Sequence, residues 1–191
     1  MLVVYANAWP NALVHDDKFY AGSERFTDLA NIPRYFTENA WAASGVAEPL
    51  YRPLLLATIT LDARMHGDWA AGYHLTNIFL HLLVSVLVFV FLLQLLQMIR
   101  GQSPANRHVA LLAAAIFAVH PVHTEVVNSI FNRSDMLVAL SGLAGLCWLL
   151  RHVHARPALA WTGLCIACSV ALFCKESGLV LPGLAVAVVL A

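Results

Sequence analysis

The sequence predicts an all-α, polytopic membrane protein, and three observations carry that prediction. From Trp69 to Ile99 the chain runs 31 residues without Asp, Glu, Lys or Arg, whereas about 20 apolar helical residues suffice to cross a bilayer core. The chain is 60% hydrophobic and only 12% charged, with a mean hydropathy of +0.72, against roughly 25% charged residues in soluble domains. Further runs free of those four residue types follow at His108–Thr124, Met136–Leu150 and Pro157–Cys174, and an apolar run extends from Ser177 to Ala191. The formal net charge of zero supplies no basic field for a nucleic-acid partner.

Residues 1–68 read as a first extracytoplasmic loop with interfacial helices, and 69–191 as a transmembrane helix bundle with spans near 72–99, 106–124, 136–150, 157–174 and 178–191. Residues 1–12 lack a charged n-region and cleavage site and read as the stub of a first span, so a fragment cut at both ends is expected. Within the loop, Phe26, Leu29, Phe36, Ala40 and Trp41 recur at roughly helical spacing, with Pro33 expected to break the run. An amphipathic helix of this kind lies in the headgroup plane. Gly45, Pro49 and Pro53 mark a turn before a second helical stretch over Leu54–Met65. A connection of about 50 residues is long enough to suggest a function.

Positive charge orients the spans. The connection after the first long span carries Arg100 and Arg107, that after the third carries Arg151 and Arg156, and neither contains an acid. Those connections are expected to be cytoplasmic. All eleven acidic residues then fall on the extracytoplasmic side.

Three polar constellations occupy that side. His15-Asp16-Asp17 places two carboxylates together near the membrane surface, where repulsion and partial desolvation prepare a general base; an N-cap and solvated turn is the simpler reading. His120-Pro121-Val122-His123-Thr124-Glu125 precedes Asn132-Arg133-Ser134-Asp135. Pro121 should end or kink its helix, and an ionisable cluster at that depth must be paired or line a cavity. A buried Arg133 is therefore expected to meet Asp16, Asp17, Glu125 or Asp135. Lys175-Glu176 separates the last two apolar runs, either buried or as a headgroup-level anchor. His74 and His81 share a helix face and suit hydrogen bonding between helices. Cys165-x-x-Cys168 lies mid-span, with no second ligand pair or redox-motif context, and reads as packing on one helix face.

Taken together, HDD at 15–17, YRPL at 51–54, HLTNIFLH at 74–81, HPVHTE at 120–125, NRSD at 132–135 and CKES at 174–177 make the chain resemble the membrane portion of the transmembrane and tetratricopeptide-repeat O-mannosyltransferases and their bacterial relatives. Six motifs in order are more specific than any one alone. The resemblance implies a GT-C glycosyltransferase fold. It implies an integral, multi-pass protein of the bacterial cytoplasmic membrane or the endoplasmic reticulum, and a sugar passed from a polyprenyl-phosphate donor to a protein or other acceptor hydroxyl on the extracytoplasmic face. The catalytic acid is expected in the first loop, hence Asp16 or Asp17. Arg52, Arg133 and Lys175 are the basic residues within the motifs that would bind the donor phosphate, supported by His120, His123, Glu125, Asp135 and Glu176. The residue set leaves a divalent metal open, without recognisable metal spacing. The chain departs from the family in its reduced first span and in carrying no tetratricopeptide repeat. Competing readings are a non-catalytic anchor for such repeats and a lipid-handling transporter.

The arginine distribution makes a topological prediction. With Pro104→Cys and Asp28→Cys variants, an impermeant thiol reagent applied from the extracytoplasmic side should label position 28 and not 104. The reverse pattern would overturn the orientation.

Overall fold

The computed structural model describes residues 4–8, 10–12, 17–18, 20, 23–42 and 49–190; His15, Asp16 and Gly45 lie outside them. Every regular element among the described residues is helical: α1 (Pro53–His66), α2 (Ala70–Arg100), α3 (Pro104–Val119), α4 (Thr124–Asn128), α5 (Arg133–His152), α6 (Pro157–Cys174) and α7 (Leu181–Leu190), with short 3₁₀ turns between and before them. Proline at the first turn of α1, α3 and α6 costs no hydrogen bond, because those N–H groups have no partner within the helix. Gly67 and Gly101 terminate α1 and α2 at φ 56° and 74°, a region that side-chain-bearing residues avoid.

Three helices, α2, α5 and α6, are long and apolar enough to cross a membrane, so the all-α, polytopic character expected from the sequence is observed. The segment 104–128 adds a fourth if counted as one span bent by 47°. The bend falls at Pro121, with His120 extended at φ −66°, ψ 129°, as the residue before proline prefers. The apolar run near 178–191 forms a 3₁₀ turn over Glu176–Val180 that continues into α7.

The bundle is built on α5, which packs against both α6 and α2, while α3 lies on α2. At the α5–α6 contact Gly145 faces the Ala167 methyl so closely that a Cβ on Gly145 would overlap it. Such small residues let membrane helices approach without a hydrophobic driving force. Outward, Phe79, Leu112, Ile116 and Ile166 are exposed, which suits contact with lipid.

The loop before α1 differs from the expected interfacial helix. It forms two 3₁₀ turns, Glu24–Phe26 and Leu29–Phe36. The break comes at Asp28, whose carboxylate accepts the Ala30 N–H at 2.9 Å and restarts the helix, while Pro33 sits inside the second turn. The segment wraps around Arg25, whose guanidinium donates to the carbonyls of Ala40 (2.9 Å), Ala42 (2.8 Å) and Asn39 (3.2 Å). Phe26, Tyr35, Ala40 and Trp41 turn inward onto Leu55, Leu56 and Ile59 of α1, whereas Leu29 and Phe36 stay exposed. Tyr35 fixes this docking through its hydroxyl, 2.8 Å from Thr60 Oγ1. Burial raises the Tyr35 phenol above its ordinary value, partly opposed by the Thr60 bond and by Arg25.

One buried ion pair ties these parts together. Arg133, 0% exposed, donates from Nη2 to Asp62 of α1, itself 1% exposed. Its Nε donates to Asn77 Oδ1 at 2.7 Å and Nη2 also to the Tyr73 carbonyl at 3.2 Å, both on α2, with Thr58 Oγ1 3.4 Å from Nη1. Thr76 donates to the other Asp62 oxygen at 2.7 Å. The acid that meets Arg133 is thus Asp62, a residue outside the expected set. Glu125 accepts instead from Asn132 Nδ2 at 3.3 Å, and Asp135 from Lys175.

A buried charge left without its partner costs about 3–5 kcal/mol, whereas replacing both charges by apolar groups is far milder. Unfolding of the detergent-solubilised protein should therefore show Asp62→Leu destabilised by about that amount. The double variant Asp62→Leu/Arg133→Met should recover a substantial part of the loss.

Candidate functional site

The end of the bundle that holds the Arg133–Asp62 pair also gathers the motif residues. Its hub is the end of α4 with the connection to α5, residues 127–132. Asn77 of α2 holds this connection from one side, its Nδ2 donating to the carbonyls of Val127 (3.0 Å) and Ser129 (2.9 Å). Asp17 holds it from the other: its Oδ1 accepts the Phe131 N–H at 3.0 Å and the Ser129 hydroxyl at 3.2 Å. Asp17 is 1% exposed, and its second oxygen, Oδ2, is buried without a hydrogen-bond partner among the described residues. One oxygen is anchored by two donors and the other by none among the described residues. A buried polar atom in that condition calls for a functional or solvent partner.

Arg52 stands on the same hub. Its Nη2 and Nε donate to the two carboxylate oxygens of Glu176 at 2.8 and 3.4 Å, and Nη1 reaches Ser134 Oγ at 3.4 Å. The guanidinium lies over the Phe131 ring, 4.9 Å from its centroid, an arrangement that planar Arg adopts and Lys does not reproduce. Next to Glu176 in sequence, Lys175 donates to both Asp135 oxygens at 2.8 Å. Two ion pairs thus join the start of α1 and the first turn of α5 to the α6–α7 connection. The Arg52 side chain is buried, but its partner Glu176 is 69% exposed.

The histidines divide. His81 lies 3.2 Å from the Ala118 carbonyl and 3.3 Å from Tyr5 Oη, which is the interhelical hydrogen bonding expected of it. His123 packs against Phe117 and His81, ring centroids 4.3 and 5.0 Å apart. His120 Nδ1 accepts from the Val122 N–H at 3.2 Å and caps its own turn. Among the described residues no group of three His, Cys, Asp or Glu is placed to hold a metal ion. Cys165 and Cys168 are free thiols on α6.

The sequence reading brought Asp17, Arg52, Asp135, Lys175 and Glu176 to one end, and the structure places them there. Asp62 and Asn77 were missed. Each carried a signal: Asp62 is the one acid of a short helix whose N-terminal half is largely apolar, and Asn77 is an amide inside a long apolar span, where polar groups need partners.

Burial acts to raise the Glu176 carboxyl, but its own backbone N–H, the Arg52 hydrogen bond and charge, and the Lys175 charge together outweigh it, and the net shift is downward. A lowered folded-state value means that the clasp stabilises above the 4.5 of an ordinary glutamate and is lost as pH falls below it. Protection of the amides across residues 174–180, measured against their intrinsic exchange rate at each pH, should accordingly fall on acidification through that range. In Arg52→Gln that protection should be low already at neutral pH.

Comparison with curated proteins gives a consistent set of relatives. The chain is 32% identical over 200 residues to human protein O-mannosyl-transferase TMTC4, covering 96% of this chain and 27% of that protein. It is 30% identical over 137 residues to human TMTC3, covering 70% and 14% respectively, and 28% identical over 184 residues to Tmtc1 of Drosophila melanogaster, covering 93% and 20%. The chain spans about a quarter of the length of the first of these relatives. No family model matches it, and no solved structure does.

Proposed function

From the homology of this chain to the TMTC protein O-mannosyl-transferases over most of its length, we propose that it forms the donor-side part of a membrane glycosyltransferase that uses a polyprenyl-phosphate sugar. The acceptor is a protein hydroxyl and the sugar is mannose, the transfer that the names of the relatives state. The observation that carries this reading is the Asp17 carboxylate, fixed through Oδ1 and unpartnered at Oδ2, on the same hub that supports Arg52 and neighbours the Lys175–Asp135 pair.

The reaction is a single displacement. The carboxylate accepts the proton of the acceptor hydroxyl as its oxygen bonds to the anomeric carbon. The bond from that carbon to the phosphate oxygen breaks, and the polyprenyl phosphate leaves with the electron pair. Lys175 and Arg52 counter its charge. Each already bears a carboxylate, but Glu176 is exposed and Asp135 partly so, so an entering phosphate competes with partners that water can take back. Arg133 belongs to positioning in this reading, because its donors are directed to Asp62, Asn77, Tyr73 and Thr58. His120, His123 and Glu125 shape the turn behind the hub. Asp16 stands as the alternative base. The catalytic face is the extracytoplasmic one, on the strength of the arginines at the other end of the bundle.

Asn in place of the base keeps volume and most hydrogen bonds but cannot take the proton. Sugar transfer from a polyprenyl-phosphate donor by the full-length protein should fall by about 100-fold to 10,000-fold in Asp17→Asn, with the thermal unfolding profile checked in parallel because Asp17 is buried. A well-folded Asp17→Asn protein at the parental rate would pass the role to Asp16 if Asp16→Asn is then inactive. Parental rates in both would leave the membrane part as an anchor.

A further inference from the structure

At the opposite end of the bundle a cleft of about 400 Å³ opens between the last turns of α2 and α5, lined by Gln94, Gln97, Met98 and Gln102 on one side and Leu150, Arg151 and His154 on the other. Its chemistry is one-sided. The sequence contains no Asp or Glu from Trp69 to Thr124 or from Met136 to Lys175, so Arg151 has no acidic neighbour on any of the helices it faces. Arg151 and His154 are exposed and their polar heads can turn into the cleft mouth. The floor is also polar. Gln94 sits six residues inside the end of α2 at Arg100, about 9 Å below it at the helical rise, and its Oε1 is buried without a partner among the described residues. A carboxamide held at hydrocarbon depth is costly unless it meets another polar group, so an acyl chain does not satisfy this cleft.

We propose that this cleft binds the headgroup of an anionic phospholipid. The phosphate diester accepts from Arg151 and His154 at the mouth, where a guanidinium offers paired donors to phosphate oxygens. The glycerol portion lies against Gln94 and Gln97, and the acyl chains follow the exposed apolar side of the helices. Basic clefts between membrane helices recognise anionic headgroups in this manner. The site is remote from Asp17 and Arg52 and does not depend on the proposed reaction.

The test uses the full-length protein purified in detergent and its melting temperature on titration with phosphatidylglycerol, phosphatidylcholine or inorganic phosphate. Phosphatidylglycerol should raise the melting temperature saturably; phosphatidylcholine and inorganic phosphate should not. The Arg151→Gln/His154→Gln variant, which alters two exposed side chains, should lose the rise. Arg100→Gln, which removes a cation from the same end but outside the cleft, should retain it. An equal rise in the double variant, or an equal loss in Arg100→Gln, would mean that general surface charge attracts the lipid and would overturn the site. An equal rise with inorganic phosphate would replace the lipid by a free anion, and an equal rise with phosphatidylcholine would remove the requirement for negative charge.

Discussion

Everything at the polar end of this bundle hangs on the contact between Arg133 and Asp62. Both side chains are fully enclosed, and a charge so placed is tolerable only when its partner and its remaining donors or acceptors are satisfied. That requirement fixes three helices at once. Asp62 brings α1, Asn77 and the Tyr73 carbonyl bring α2, and Arg133 begins α5. The cost of burying the pair is offset by geometry: a segment outside the long spans is locked to two of them.

The consequence for chemistry is a rigid platform. Asn77 accepts from Arg133 with its oxygen and donates to the α4–α5 connection with its nitrogen, so the position of that connection follows from the buried pair. Asp17 then binds the connection through one oxygen, and Arg52 stacks on Phe131 within it. Catalytic groups held by packed neighbours and fixed hydrogen bonds need little reorganisation during reaction. The two outer ion pairs differ from the inner one in being partly open to water, which suits the exchange of a carboxylate for a phosphate that the proposed reaction calls for.

The helices were legible in the sequence because their solvent imposes a strong signal. Residues 157–174 read as a span from the absence of charge alone, and α6 has those bounds; the kink at Pro121 followed from sterics between proline and the residue before it. The loop was harder. Its fold depends on Arg25 gathering carbonyls from residues some 15 positions away, which no local periodicity reports. For the same reason the inward-facing residues were only partly identified, with Leu29 and Phe36 exposed. In the site, motif order located the residues but not their partners. Arg133 was expected to meet Asp16, Asp17, Glu125 or Asp135, each within a motif, yet the acid came from a turn of α1 that carried no motif. Pairing across the bundle is set by tertiary packing, and a single sequence does not encode it in spacing.

The proposed reaction depends most directly on where the donor phosphate sits. A structure of the full-length protein with a polyprenyl-phosphate sugar bound should place the phosphate oxygens within ~4 Å of the Arg52 and Lys175 nitrogens, with the anomeric carbon turned toward Asp17 and the Arg133–Asp62 pair intact. A donor phosphate bound at the Arg151 end, or one seated on Arg133 with Asp62 displaced, would contradict it.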